Sequence, residues 1–440
     1  MSKYSSFLIK LFKILNTKYN YSILRGYEEL PINFKSHDID ILIEKKDFIL
    51  LKHELINLLE SSNFKLLMVN ENERFNTFII AKREENLLEF LYLDFFFNYS
   101  LYGVHLLDAS TILQRKVFNG KIYHVNIVDE FLEKFLNTSL LNSSYPKKYH
   151  HILDEIKKNH HQEIQTTLVN IFNDKTITIE KVQKTSGKKL LKKVFLKNIL
   201  NSPIKQIKLS SQFIYFYIKG RIKPNGFSLT ITGPDGSGKT TILNYVEEIF
   251  LKIYREVEIH HFRPTVIPRI AELFNKAGLK KEVDVNYDKP HRGAKTGTIS
   301  SWVRLLYYIS DYIIGYYKVV KPVLFRRGIV IFDRYYTDII SDSKRSRIYI
   351  NYKTIFNFRK IVPKLDYNFI IFVEPNKILE RKQELTTKQI NEIYEKLNFI
   401  CNKDRRYIKI DNNQTPDIAI NSILDYILEA QHEKLQKFFK

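Results

Sequence analysis

The chain has little of what builds disulfide frameworks, zinc centres or membrane spans. It contains one cysteine, Cys401, in 440 residues, which excludes a disulfide framework and any zinc site that needs several cysteines. No run of about 18 uncharged apolar residues occurs, so no segment is predicted to cross a membrane. The apolar run of residues 5–15 is interrupted by lysines, which is typical of an amphipathic helix and not of a signal peptide. These absences predict a cytoplasmic protein.

Acidic residues are missing from residues 181–224, although this stretch holds twelve lysines and arginines. The stretch therefore supplies more than half of the formal net charge of +22. Such a run predicts an anionic partner, which is a membrane surface, nucleic acid or an acidic polymer, with peripheral attachment at a membrane in the first case. The competing interpretation is a solvated connector whose apolar residues dock against a neighbouring domain, and this one is favoured.

Three parts are predicted along the chain. Residues 1–175 form an α+β domain with a helical tail, residues 176–225 form the basic connector, and residues 226–440 form an α/β domain. A hydrophobic content of 44% and an aromatic content of 14% are enough for well-packed cores. Dimer formation is left open by the composition.

Acidic residues mark a candidate metal site in the first part. The alternating segment Asp38-Ile-Asp40-Ile-Leu-Ile predicts a strand on which the two aspartates share one face. Two carboxylates at this spacing on a rigid strand can hold a divalent cation. Asp94 is the better third carboxylate, compared with Glu89, because it ends a predicted strand where a ligand can stay hydrated. The competing interpretation is a polar strand end without a metal.

A glycine, Gly26, followed about a dozen residues later by Asp-x-Asp on a strand, resembles the nucleotidyltransferase superfamily. The resemblance implies that Asp38, Asp40 and Asp94 bind two metal ions and activate a hydroxyl against a nucleotide α-phosphate. The sequence departs from that family at Gly26-Tyr27, where the family usually has Gly-Ser or Gly-Gly.

A glycine-rich loop lies between a predicted strand and a predicted helix in the last part. It fits G-x-x-x-x-G-K-[ST] in the strand–loop–helix context that the motif requires. The glycines let the backbone wrap around phosphates, Lys239 reaches the β- and γ-phosphates, and the Thr240 hydroxyl coordinates Mg²⁺. The competing interpretation is a chance glycine turn. The predicted ATP-Mg²⁺ site comprises Gly233, Asp235, Gly236, Ser237, Gly238, Lys239, Thr240 and Thr241.

An apolar run closed by an acid, Gly328-Ile-Val-Ile-Phe-Asp333, predicts the second element of such a nucleotide site. Its carboxylate can hold the Mg²⁺ water shell or orient the attacking group. Strands alternate with helices through residues 226–440, which predicts a three-layer αβα fold with a parallel sheet. Ligands bind at the carboxyl ends of the strands in such a fold.

Residues 226–430 resemble the thymidylate-kinase branch of the nucleoside monophosphate kinase family. The shared features are the Gly-x-Asp-Gly-x-Gly-Lys-Thr-Thr loop, Arg263 after the second strand, Arg304 on a long helix, Asp333-Arg334-Tyr335, and Arg381 at a short lid. The resemblance implies ATP-Mg²⁺-dependent transfer of a γ-phosphoryl group to a small-molecule phosphate acceptor.

The resemblance also assigns roles to individual residues. Thr240 and Asp333 manage the metal. The cations that offset charge on the transferring group are Lys239, Arg334 and Arg381. The residues on the acceptor side are Asp235, Arg263, Arg304 and Tyr335.

The sequence departs from thymidylate kinases directly after Tyr335. An Ala-Tyr-Gln-Gly-like stretch that fits the base is replaced by the basic segment 336–347, so the acceptor is expected to be another phosphorylated or anionic molecule. The whole arrangement resembles thymidylate-kinase-like proteins of bacterial surface-polysaccharide loci. The alternatives to a kinase are a nucleotidyltransferase acting on a sugar phosphate or hydroxyl acceptor, and a non-catalytic nucleotide-dependent module bound to an anionic surface.

Overall fold

Runs of apolar residues form two separate sheets, one in each of two units of the chain. The computed structural model describes residues 3–85, 87–141, 143, 150–268 and 297–439, with the backbone alone described for residues 150–152. The first unit comprises residues 1–82, 89–222 and 430–440, and the second comprises residues 83–88 and 223–429. The predicted three-part division remains a prediction.

The first unit contains a mixed seven-stranded sheet in the order β3-β4-β5-β2-β1-β9-β8, together with a two-stranded hairpin, β6-β7. Its strands are β1 (Tyr21–Ile23), β2 (Asp38–Ile43), β3 (Lys65–Glu71), β4 (Phe75–Glu84), β5 (Leu87–Phe96), β6 (Asn98–Leu101), β7 (Val104–Asp108), β8 (Val117–Phe118) and β9 (Tyr123–His124). Alternation places the apolar residues of β2 in the core while Asp38 is exposed at its start. β2 pairs with β5 in parallel, which brings acidic residues of two strands together.

The described helices of the first unit are α1 (Ser5–Lys18), α2 (Lys45–Ser61), α3 (Ala109–Gln114), α4 (Ile127–Leu141), α5 (His150–Asn159), α6 (His161–Phe172), α7 (Ile179–Lys184), α8 (Gly187–Asn201) and α9 (Pro203–Ile222). The helix α1 buries Leu8, Leu11 and Leu15 at three- and four-residue spacing, as its amphipathic pattern predicts. These residues share one core with Phe78 and with Phe439 from the end of the chain.

The second unit contains a five-stranded, fully parallel sheet in the order β11-β12-β10-β13-β14. Its strands are β10 (Phe227–Thr232), β11 (Val257–His261), β12 (Ile329–Asp333), β13 (Tyr367–Phe372) and β14 (Tyr407–Asp411). All six residues of the central strand β10 are buried, which is typical of a parallel strand covered on both faces. The chain leaves β10 where the strand order reverses, and that position is the usual ligand site of such sheets.

Helices flank this sheet, so the predicted α/β fold of the second unit is confirmed. They are α10 (Lys239–Ile253), α11 (Thr298–Gly315), α12 (Lys321–Phe325), α13 (Tyr336–Ser341), α14 (Ser343–Ser346), α15 (Tyr352–Phe358), α16 (Pro375–Arg381), α17 (Thr387–Lys403) and α18 (Pro416–Gln436). A π-helical turn, Tyr316–Val320, joins α11 to α12. Among the helices that the structure describes, none is both long and apolar enough to cross a membrane.

Candidate active site

The glycine-rich loop connects the end of β10 to the start of α10. Gly236 and Gly238 adopt φ values of +84° and +86°, a region that side-chain-bearing residues rarely enter. The loop therefore turns tightly enough for α10 to begin at Lys239. The N-terminal N–H groups of α10 thus border the loop. A helix N-terminus of this kind attracts phosphate through its unpaired N–H groups and its dipole.

Lys239 lies folded back over the loop. Its ammonium Nζ donates to the Pro234 carbonyl at 2.7 Å and lies 3.8 Å from an Asp235 carboxylate oxygen. Burial, together with the nearby Arg334, lowers the pKa of Lys239 to about 7. A buried cation with one carbonyl and one distant carboxylate as partners is favourably placed to accept additional anionic oxygens.

Two arginines hold the carboxylate of Asp235. Arg334 donates to one of its oxygens and Arg345 donates to the other. Burial alone would raise the pKa of Asp235, but the charges of Arg334, Lys239 and Arg345 outweigh it and hold that pKa at about 2. Arg334 is fixed in turn by the buried Asp338 and by the Gly233 carbonyl, which lies 3.3 Å from its Nη1. Asp235 is therefore an ionised, oriented acceptor of hydrogen bonds.

Asp333 ends β12 beside the loop, where it pairs in register with Ile231 of β10. One carboxylate oxygen lies 2.9 Å from Nδ1 of His261, and the other is buried without a hydrogen-bond partner in the described chain. Burial would raise the pKa of Asp333, but the His261 hydrogen bond and the Arg334 charge lower it overall. Asp333 offers an ionised carboxylate with a free oxygen at the end of β12, and Thr240 is exposed in the first turn of α10. These two groups are of the kind that holds a hydrated Mg²⁺ bound to phosphate.

The remaining predicted residues have different surroundings. Arg263 pairs at 2.8 Å with the fully buried Asp311, which also accepts backbone N–H groups from the turn after β11. Tyr335 is buried, and its hydroxyl donates to the Pro363 carbonyl at 3.0 Å. Arg304 has a buried Nε without a hydrogen-bond partner among the described residues. The structure thus groups four of the predicted residues around the loop and places Arg263 and Tyr335 in other contacts. The four are Asp235, Lys239, Asp333 and Arg334.

Arg381 and Thr241 are exposed near the loop. A guanidinium nitrogen of Arg381 lies 3.8 Å from the point that a Cβ on Gly238 would occupy. Arg381 ends α16, so it borders the loop from the segment that was predicted to form a lid. Its position permits contact with a phosphate held in the loop.

Four further residues of the site were not predicted. Arg345 and Asp338 lie in the basic segment 336–347, whose departure from thymidylate kinases was the one available signal. His261 ends β11 beside Asp333. Asn412 is buried after β14 and donates from Nδ2 to the Ser237 carbonyl at 2.8 Å. The sequence carries no motif for His261 or Asn412.

The first unit holds a separate cluster of the three predicted acids. The parallel pairing of β2 with β5 sets Asp40 directly beside Asp94, and Asp38 beside Tyr92. Carboxylate oxygens of Asp38, Asp40 and Asp94 all lie within 4.8 Å of one another. The first half of β2 and the second half of β5 therefore bring the three residues together.

The charges of this cluster are only partly balanced. Arg25 donates to Asp40 and, at 3.1 Å, to Asp38. Burial raises the pKa of Asp94 to about 7 and that of Asp40 to about 6, the latter despite the opposing charge of Arg25. Asp40 and Asp94 each keep one buried oxygen without a hydrogen-bond partner in the described residues. Buried carboxylates with free oxygens at this separation fit a divalent cation, because its positive charge would balance their negative charges.

Comparison with known proteins gives one family match. A family model described as thymidylate kinase matches residues 231–434, which is less than half of the chain, and it supports nucleotide-dependent phosphoryl transfer at the level of the family. No curated protein matches the chain. Among solved structures, a thymidylate kinase from Ehrlichia chaffeensis is 20% identical, covers 46% of this chain and 100% of its own, and has a TM-score of 0.32. A TM-score this low supports no further comparison of the two structures.

Proposed function

We propose that the second unit transfers the γ-phosphoryl group of ATP, with Mg²⁺, to a small phosphorylated or anionic acceptor. The observation that carries this proposal is the convergence of Asp235, Lys239, Asp333 and Arg334 at the carboxyl edge of β10 and β12. Phosphoryl transfer is catalysed mainly by positioning and by charge stabilisation, and the cluster supplies both. The family match over residues 231–434 supports the same chemistry.

The donor side is formed by the loop and its neighbours. The N–H groups of the loop and of α10 bind the phosphates, and Lys239 exchanges the Pro234 carbonyl for phosphate oxygens. The residues that would hold Mg²⁺ are Thr240 and Asp333, and the bound metal neutralises charge on the β- and γ-phosphates. Arg334 and Arg381 offset the charge of the transferring group, because one lies beside Asp235 and the other beside Gly238.

The acceptor side is formed by Asp235 and the two arginines that hold it. An acceptor hydroxyl or protonated phosphate can donate to the Asp235 carboxylate, which is ionised and held in place by Arg334 and Arg345. An anionic group on the acceptor is attracted by Arg345, which lies in the segment that replaces the base-fitting stretch of thymidylate kinases. This arrangement supports an acceptor chosen for its charge. The acceptor roles of Arg263, Arg304 and Tyr335 remain proposals.

Replacement of Lys239 by alanine tests the donor site. Because Lys239 is the buried cation of the loop, K239A is expected to lower ADP formation by about a hundredfold or more. A matched control is K252A, since Lys252 lies on the same helix and is exposed, where it pairs with Glu248 at 2.8 Å. Steady-state ADP formation is measured across nucleoside monophosphates and sugar phosphates, with circular dichroism to show that both variants fold. Near-wild-type turnover by K239A would refute the proposal.

A second candidate function is specific to the first unit. We propose that Asp38, Asp40 and Asp94 bind divalent cations and support transfer of a nucleotide to a sugar phosphate or hydroxyl acceptor. The supporting observation is their mutual separation of at most 4.8 Å, with two buried free oxygens. D40N is expected to abolish pyrophosphate release and Mn²⁺ binding while leaving ADP formation by the second unit unchanged. Unaltered Mn²⁺ binding by D40N would count against this candidate.

A further inference from the structure

The outer face of α9 carries a continuous apolar stripe that is exposed to solvent. Its side chains are between 52% and 83% exposed, and they recur at intervals of three, four or seven residues, apart from the adjacent Ile214 and Tyr215. At 100° per residue they fall within about 60° of one line along the helix, over a length of about 27 Å. The outer stripe consists of Ile204, Ile207, Ile214, Tyr215, Ile218 and Ile222.

The opposite face of α9 attaches the helix to its own unit. Gln206 is buried and donates from Nε2 to the Gly103 carbonyl at 2.7 Å, and Leu209 is buried beside it. Phe213 packs against Gly103 and forms an edge-to-face pair with Tyr102. The outer stripe is therefore not what holds α9 in place. Five isoleucines without a role in that packing form an exposed apolar area that soluble proteins usually avoid.

All the charged side chains of α9 are cations, two of which pair with acids of neighbouring strands: Lys205 with Asp108, and Lys219 with Glu71. Lys208, Arg221 and Lys223 are exposed along its edges, and residues 181–224 contain no acid. The preceding helix α8 adds the exposed Lys188, Lys189 and Lys192, and its Leu200, which is 82% exposed, stands just before the stripe. The surface therefore combines an aliphatic strip with a border in which cations are in excess.

We propose that α9 lies in the interface of an anionic lipid membrane, with the outer stripe at the acyl boundary and the bordering cations at the headgroup phosphates. Both parts of the surface are used by such a partner. A second copy of the chain, related by a twofold axis, would bring the cationic borders together. Nucleic acid is bound through phosphate contacts and base stacking, so it leaves five exposed isoleucines unexplained.

Vesicle flotation of the full-length protein tests this proposal. Vesicles of phosphatidylcholine alone are compared with vesicles of equal parts phosphatidylcholine and phosphatidylglycerol. The wild type is expected to float with the anionic vesicles, and to do so less as salt increases. The stripe variant, I207S/I214S/I218S, should lower the partition coefficient for anionic vesicles by about a hundredfold or more, because three isoleucines no longer enter the apolar boundary.

A matched control removes three isoleucines of similar exposure outside the stripe, I49S/I299S/I361S. This control variant should float like the wild type. The charge variant K208E/R221E should bind anionic vesicles at least about twentyfold more weakly. Thermal unfolding followed by circular dichroism shows whether each variant retains its fold, which is expected because every altered side chain is exposed or half-exposed.

Several outcomes would overturn the proposal. Equal flotation of the wild type with neutral and anionic vesicles, or wild-type flotation of the stripe variant, contradicts it directly. A stripe variant that changes a dimer to a monomer in sedimentation, without a change in flotation, identifies a second copy as the occupant. Tight binding to duplex DNA that the stripe variant retains, with no flotation, identifies nucleic acid instead.

Discussion

The side chain of Asn412 contacts the phosphate loop, and the lack of a side chain at Gly238 leaves room for it. The side chain is 2% exposed, and its Nδ2 donates to the Ser237 carbonyl at 2.8 Å. A Cβ on Gly238 would lie 2.5 Å from that same Nδ2. Substitutions at positions 238 and 412 therefore disturb one contact, and their effects should not add.

The magnitudes follow from this geometry. N412A leaves the buried Ser237 carbonyl without its donor, which costs about 1–3 kcal/mol. G238A displaces the same amide and also forces alanine to a φ of +86°, which adds about 1–2 kcal/mol. In the double variant the Asn412 amide is already absent, so G238A adds only the cost of the backbone strain to the cost of N412A. A coupling free energy of about 1–3 kcal/mol between the two sites is therefore expected.

Titration calorimetry with a non-hydrolysable ATP analogue measures this coupling. If these costs fall on the phosphate-binding shape of the loop, N412A should raise the dissociation constant by roughly 5- to 150-fold, and G238A, which also carries the backbone strain, by roughly 30-fold or more. N412D keeps the volume of asparagine but places a carboxylate oxygen against the carbonyl, so it should weaken binding at least as much as N412A. Effects of G238A and N412A that add to within about 0.5 kcal/mol would refute the contact.

Three further predictions concern the acceptor side, pH and the end of the chain. R345A should raise the KM for the acceptor at least about tenfold. The KM for ATP should change little, because Arg334 still holds Asp235. Equal effects on both KM values would contradict this assignment of Arg345 to the acceptor side. Burial raises the pKa of Asp129 from 3.8 to about 6, so the folded state binds an extra proton between these values. The unfolding free energy should therefore fall by about 2 kcal/mol as pH rises from 4 to 6. D129N should lose that part of the pH slope in urea unfolding, and an unchanged slope would contradict the assignment. F439A removes a core side chain of the first unit, so it should lower the free energy of unfolding in urea by about 3–5 kcal/mol. A loss below about 1 kcal/mol would show that Phe439 does not complete that core.

Local pattern was sufficient to predict the fold of the second unit. The loop between β10 and α10 is continuous in sequence, so its glycines, its lysine and its flanking elements all carry one consistent signal. The apolar run before Asp333 was predicted to be a strand, and it is β12. The loop and β12 are both determined by residues that are adjacent in the sequence. The parallel arrangement of the sheet follows from the alternation of strands and helices.

Contacts between distant residues were not predictable in this way. Asn412 meets Ser237 across 175 residues, and nothing in either local sequence identifies the partner. Arg263 was expected at an acceptor phosphate, but the buried Asp311 lies beside it, and an acid one helix away carries no motif. Arg345 reaches Asp235 across 110 residues from the short helix α14, whose N-cap is Asp342.

The exposed apolar face of α9 shows a related difficulty. Its isoleucines and its packed residues alternate around one helix, so both faces are apolar and a periodicity argument cannot distinguish them. The sequence favoured docking of this stretch between domains. The burial of Gln206 and Leu209 on one face, with exposure of Ile204 and Ile222 on the other, identifies the surface that needs a partner.

The central claim is phosphoryl transfer by the second unit, and transfer of label from ATP labelled at its γ-phosphate tests it most directly. The protein is incubated with Mg²⁺ and a panel of nucleoside monophosphates and sugar phosphates, and the products are separated by chromatography. Label should appear on at least one acceptor with the wild type and with K252A, and it should be absent with K239A. Label on no acceptor of the panel, or the same labelled product from K239A, would contradict the claim.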